Sequence, residues 1–148
     1  MKKIIVAFLF LLPLNTVMAS ELKEAKITGE NYLGVTGKIA NIKFGDQRCA
    51  LGSSGEAKEN SFKIVFTCNG ITQVLWDMNI PVVGDFHFDD PKFSLLWAGD
   101  KDSDGKIDII MDMSPKYSCV KEVTYLSSKA KKGLLVGISG NPDTVCGL

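Results

Sequence analysis

The sequence is poor in the residues on which most catalytic and nucleic-acid chemistry depends. It holds one histidine, His87, in 148 residues. Flanked by Phe86 and Phe88, His87 reads as an edge-strand residue, with a catalytic base as the alternative. No CxxC pair occurs, and the four cysteines are widely spaced, so a structural zinc cluster is disfavoured. There is no surplus of positive charge: 17 lysines and arginines face 17 aspartates and glutamates. Without a basic patch, nucleic acid is a poor partner. No apolar run reaches the roughly 20 residues of a membrane-spanning helix. A sustained helical period, an internal repeat and a low-complexity linker are also missing. Their absence argues against a coiled coil, a solenoid or a multi-bladed propeller.

What is present begins with a secretory leader. Lys2 and Lys3 precede an apolar stretch over residues 4–12, which Pro13 ends. Val17 and Ala19 supply the small residues that a signal peptidase accepts, so cleavage is expected before Ser20. Residues 1–19 are thus a signal peptide and residues 20–148 a single β-domain, periplasmic or extracellular, with no membrane span once the leader is removed. The four cysteines, Cys49, Cys68, Cys119 and Cys146, all lie in the mature part. An even number behind a leader implies two disulfides in an oxidising compartment. Three connectivities are open. Cys49–Cys68 with Cys119–Cys146 is favoured, because each pair is close in sequence and can join neighbouring strands.

The texture is β throughout. Residues 23–28 suit a first strand. In residues 38–44, Ala40, Ile42 and Phe44 share a core face and Ile39 breaks the alternation. Residues 52–56 read as a loop by composition. Residues 61–68 and 71–78, rich in β-branched and aromatic residues, flank Asn69-Gly70. Asn-Gly tolerates positive φ at both positions, so residues 62–78 form a hairpin. Residues 120–127 and 134–138 read as later strands. The fold class that fits is all-β, an antiparallel sandwich or partly open barrel.

The chain is organised around Asp100-Lys101-Asp102-Ser103-Asp104-Gly105-Lys106-Ile107-Asp108. Eight of the 17 acidic residues fall between Asp85 and Asp112. Packing four carboxylates into one short loop is costly, roughly 1 kcal/mol per pair at about 4 Å in water and more near a protein surface. A hard divalent cation that takes six to eight oxygens offsets that cost, and Ca²⁺ is the natural choice. Asp100, Asp102 and Asp104, at alternate positions of a tight loop, point at one centre. Lys106 offers its backbone carbonyl, Asp108 closes the shell and Gly105 permits the bend. An EF-hand is excluded, because Met111 stands where a bidentate glutamate is needed and the flanks are β-like. Asp102-Ser103-Asp104-Gly105 also matches the start of a haloacid-dehalogenase-type phosphatase motif. However, Lys106 replaces the expected threonine or valine, and the βα alternation of such a fold is missing. A solvated Asp-Gly turn with no metal is the alternative to the favoured Ca²⁺ loop.

The loop resembles the Asp-x-Asp-x-Asp-Gly-x-x-Asp hairpin loops of integrin-type (FG-GAP) β-propellers, in which Ca²⁺ bridges a strand, a loop and a strand. That resemblance implies Asp100, Asp102, Asp104 and Asp108 as side-chain ligands and Lys106 as a carbonyl ligand. One copy is present, so the loop carries over and the propeller does not. The wider stretch from Trp97-Ala98-Gly99-Asp100 to Asp112, with Leu126-Ser127-Ser128 downstream, is similar to small bacterial secreted proteins with no assigned activity. It implies a secreted calcium-loop protein.

Asp112 shares strand parity with Asp108, either as a supporting group near the ion or as a plain exposed residue. Asp89 and Asp90 suit a turn better than a carboxylate dyad, since adjacent strand residues face opposite ways. Trp76 and Trp97 read as core residues, with a sugar-stacking platform as the alternative. Lys129, Lys131 and Lys132 read as a solvated turn, or as a contact for an anionic surface. Together these features point to a non-enzymatic, secreted calcium-binding domain, held by Ca²⁺ and two disulfides, that binds an unknown protein or cell-envelope partner. An inhibitor of a wall-degrading hydrolase is a narrower version. A Ca²⁺-dependent hydrolase is the rival class.

Overall fold

A computed structural model describes residues 23–79 and 90–147. The leader, the 81–85 connector, His87 with its flanking phenylalanines, and Asp89 lie outside the described residues. Among those described, two five-stranded antiparallel sheets carry the fold. The first sheet is a meander in chain order: β2 (Lys26–Gly29), β3 (Ile39–Phe44), β4 (Gln47–Ser54), β5 (Lys63–Cys68) and β6 (Ile71–Asp77). The second contains β1 (Lys23–Glu24), β7 (Ser94–Asp100), β8 (Asp108–Asp112), β10 (Glu122–Leu126) and β11 (Gly137–Ser139), adjacent in that order. A short ribbon pairs β9 (Cys119–Val120) with β12 (Val145–Cys146).

The two sheets are joined along one side by the N-terminal segment. β1 lies on the edge of β7, Ala25 donates its N–H to the Ala98 carbonyl at 2.9 Å, and β2 then enters the other sheet. On the opposite side, β6 and β11 are the edges that no strand pairs among the described residues. There Gln73 spans the gap. Its Oε1 accepts from the Leu135 and Val136 N–H groups at 2.8 and 3.0 Å, and its Nε2 donates to the Val136 carbonyl at 2.9 Å. The result is a sandwich closed on one side and clasped at one point on the other.

Alternation explains the core. Ala40 and Ile42 of β3, Ile64 and Phe66 of β5, Ile109 and Met111 of β8, and Val123 and Tyr125 of β10 all face inward in one cluster. Ile39 faces outward, as the broken alternation predicts. Asn69 and Gly70 adopt φ of 50° and 81°, and Met78 N–H bonds the Phe62 carbonyl at 3.0 Å, so the hairpin closes over its whole expected length. Trp76 packs inward with its ring centroid 4.9 Å from Phe93 and 6.2 Å from Phe62. Both favoured disulfides form, and each joins residues directly opposite in register.

Several local expectations change. Residues 52–54 are strand, because Gly52, Ser53 and Ser54 pair with Val65, Ile64 and Lys63. Ser53 sits in the buried row, where its hydroxyl accepts from Lys38 N–H at 3.1 Å and donates to the Val35 carbonyl. The 120–127 strand is split at Lys121, since β9 pairs with β12 while β10 pairs with β8. Pairing of the last long strand starts at Gly137, because Gln73 has taken the Leu135 and Val136 amides. Trp97 is not a core residue. A bulge at Leu96 resets β7, so Ala98 faces the core and the Trp97 ring lies over Gly99 on the outer face. The two tryptophans therefore share no face for a sugar platform.

Candidate metal centre

The acidic loop closes the β7–β8 hairpin. Gly99 and Asp108 are partners in register, so Asp100 leaves one strand as Asp108 enters the next. Ile107 is buried in the core and fixes where the loop returns to the sheet. Two residues bend the chain left-handed, Ser103 at φ 63° and Gly105 at φ 79°. A Cβ on Gly105 would meet nothing within 4 Å, so glycine is there for its backbone freedom and not for space.

The four carboxylates divide into two buried and two exposed. Asp100 is 4 % exposed and Asp108 0 %. Asp100 folds the loop over itself: Oδ1 accepts from Asp104 N–H and Oδ2 from Gly105 N–H, both at 3.0 Å. Asp108 ties the loop to the domain: Oδ2 accepts from Lys101 N–H at 2.7 Å and Oδ1 from Ser127 N–H at 2.8 Å. Its removal from water raises the Asp108 pKa above the ordinary carboxylate value, and the nearby Asp102 charge adds to that. The two N–H donors act in the opposite direction.

Asp100, Asp102 and Asp108 each place one carboxylate oxygen within 4.8 Å of the others. A Ca²⁺ shell with oxygens at 2.3–2.6 Å has a diameter of roughly 4.6–5.2 Å, which this spacing fits. All three donors are hard carboxylate oxygens, the donor type that Ca²⁺ takes. Among the described residues, no lysine forms an ion pair with any of the four loop carboxylates. Lys101, the cation nearest in sequence, places its Nζ 5.9 Å over the Trp97 ring.

Asp104 stands outside that three-carboxylate group. Its Oδ1 accepts from Lys106 N–H at 2.9 Å and its Oδ2 from the Ser127 hydroxyl at 2.5 Å. Asp112 is at the far end of β8. There it accepts from Ser114 N–H at 2.9 Å and lies 3.9 Å from the Lys92 ammonium, so it secures the following turn and takes no part in the loop. Asp90 is an exposed residue at φ 45°, a turn conformation.

Three partners of the loop were not singled out as site residues. Ser127 and Ser128 open a short 3-10 helix, Ser127–Lys129, directly after β10. The Ser127 amide holds Asp108, its hydroxyl holds Asp104, and the Ser128 hydroxyl donates to Asp102. From the first sheet, Gln47 Nε2 donates to the Gly105 carbonyl at 2.8 Å. The Leu-Ser-Ser segment downstream of the loop was the available signal for the serines. No comparable pattern marks Gln47. Comparison of the chain with protein-family models, curated proteins and solved structures finds no match.

Proposed function

We propose that this is a non-enzymatic, secreted or periplasmic β-domain. It holds one Ca²⁺ at the β7–β8 hairpin as a structural staple and presents its surface to a macromolecular or cell-envelope partner. One observation carries the cation reading: three carboxylate oxygens converge within 4.8 Å while, among the described residues, no lysine forms an ion pair with them. Asp104 and the Lys106 carbonyl are the further ligands that the loop pattern suggests. The ion would supply charge compensation and rigidity; the carboxylates position the loop through their own backbone hydrogen bonds. Two cross-strand disulfides suit an oxidising compartment. Among the described residues, no helix is long and apolar enough to cross a membrane.

Calorimetric titration of the purified protein with Ca²⁺ and with Mg²⁺ tests this. One-to-one Ca²⁺ binding is expected, with weaker Mg²⁺ binding because Mg²⁺ demands shorter bonds and near-octahedral order. The informative variant is Asp102→Asn. Asp102 is exposed and accepts from the Ser128 hydroxyl, so folding should survive while Ca²⁺ affinity falls at least tenfold. Absence of Ca²⁺ binding at millimolar concentration, or binding untouched by Asp102→Asn, refutes the reading.

A further inference from the structure

The open side of the sandwich contains a groove whose wider part is lined by the clasp residues Gln73 and Val136. Two compartments line up between the edges of β6 and β11, one of about 210 Å³ and one of about 380 Å³. They share Leu75, Tyr125 and Ile138 as walls, so they adjoin. The larger falls at the lower end of the roughly 300–1,000 Å³ range of small-molecule sites and the smaller lies below it. The smaller is the more apolar and runs in past Trp76 and Met113. The larger opens beside Val74 and Leu134. Val74, Leu134 and Ile138 are 45, 46 and 53 % exposed, an unusual cost for three neighbouring aliphatic side chains.

Charge selects the occupant. Among the described residues, every charged residue lining either compartment is a lysine: Lys121 in the smaller, Lys129 and Lys131 in the larger. Asp77, at the end of β6, is already engaged by Lys63 at 3.1 Å. The basic turn, which reads from sequence as solvated or as a contact for an anionic surface, thus places Lys129 and Lys131 at the wide mouth of an apolar groove.

We propose that this groove takes a single apolar chain bearing an anionic head group. The head, a carboxylate or a phosphate, sits between Lys129 and Lys131. The chain passes Ile138 and ends beside Trp76. A neutral chain gains the apolar contact but not the charge. The inference gives a chemistry to the envelope partner and is independent of the cation reading.

Fluorescence of Trp76 in a Trp97→Phe background reads occupancy, since Trp97 lies on the outer face of the other sheet. Dodecanoate and dodecyl phosphate, both below their micelle concentrations, distinguish a carboxylate from a phosphate head. A dodecyl glycoside is the neutral control. Saturable one-to-one binding of at least one anionic probe is expected, roughly tenfold tighter than the glycoside. Lys129→Ala with Lys131→Ala should remove that advantage and leave glycoside binding unchanged, in line with two partly exposed charge contacts. Both lysines are exposed, so this variant should fold. Ile138→Trp, which thickens the shared wall, should abolish binding of every probe. The proposal is overturned by lack of saturable binding of both anionic probes, by equal affinity for the glycoside, or by binding that neither variant changes. Running each titration in chelator and in Ca²⁺ keeps a failure here apart from a failure of the cation reading.

Discussion

Replacing Asp108 with asparagine separates the two roles of the acidic loop. The side chain is fully buried, and its two oxygens accept one backbone N–H each, from Lys101 and Ser127. Asparagine is isosteric but has one acceptor. One of the two N–H groups then faces an amide NH₂ and loses its partner. A hydrogen bond to a charged group contributes about 1.5–3 kcal/mol, and an orphaned buried donor costs a similar amount. Against this, the neutral amide removes the penalty of burying a charge, the effect that raises the Asp108 pKa. The net cost in chelator should be about 1–3 kcal/mol. With Ca²⁺ at 100 times its dissociation constant, wild type gains a further 2.7 kcal/mol or so, which the variant forfeits. Urea unfolding followed by tryptophan fluorescence, in chelator and in millimolar Ca²⁺, gives both differences. The sign of the acid dependence follows from the same burial. A carboxyl whose folded pKa is raised binds its proton more tightly when native. Its contribution is present below the unfolded value near 3.8 and is lost as pH rises through the folded value. Metal-free wild type should carry that pH-dependent loss and Asp108→Asn should not. Equal stability of the two proteins in chelator would refute the role given to the buried carboxylate. Lack of a Ca²⁺ effect on wild type would refute the staple.

Three further outcomes are expected. Removing either disulfide by paired Cys→Ser substitution should cost about 3 kcal/mol on loop-entropy grounds, with Cys119–Cys146 slightly the costlier because it closes 27 residues against 19; urea midpoints check this. Gln73→Ala opens the clasp and should cost about 2–3 kcal/mol for three backbone-directed hydrogen bonds, with loss of hydrogen-exchange protection at the Leu135 and Val136 amides. Burial pushes the Tyr125 phenol up to about 12 from 10.0, so the native state keeps that proton after the unfolded chain has released it. The resulting stability is intact below about pH 10 and is lost by about pH 12, a change of about 2–3 kcal/mol, visible by unfolding at graded alkaline pH alongside tyrosinate absorbance.

Features that depend on neighbours in sequence were legible. Asn69-Gly70 between two β-branched runs specifies its turn almost alone. The Cys49–Cys68 pairing followed from its short separation, because the meander puts β4 and β5 side by side, whereas Cys119–Cys146 joins the non-consecutive β9 and β12 in a separate ribbon. The Asp spacing located the hairpin tip. Features that depend on long-range partners were not legible. Residues 52–54 look like a loop by composition, yet the β5 edge supplies enough hydrogen bonds to hold them as strand. Nothing near Trp97 announces the bulge at Leu96 that turns its ring outward. Gly99 shows why that outward position is kept. A Cβ there would come 2.2 Å from the Lys23 carbonyl oxygen and 2.7 Å from the Trp97 ring, so glycine lets β1 and the indole close over the same spot.

The 3-10 helix Ser127–Lys129 has a larger place in the structure than its three residues suggest. Its first residue is held by Asp104 and Asp108, and its second by Asp102. Its third, Lys129, stands at the mouth of the apolar groove. The Lys129 carbonyl also packs so closely on β11 that a Cβ at Gly137 would lie 2.0 Å from it. The turn is thus fixed from both sides, by carboxylates along one flank and by glycine-permitted contact along the other. Acidic loop, turn and groove mouth thus lie side by side, although the loop and the turn are separated in sequence. Spacing within the acidic loop puts Asp104 at the same centre as Asp100 and Asp102, whereas Asp108 takes that place beside them and Asp104 turns to Ser127. The serines opposite determine where that loop sits on the domain, and the lysine after them joins it to the only wall between the two sheets that strand pairing leaves open among the described residues.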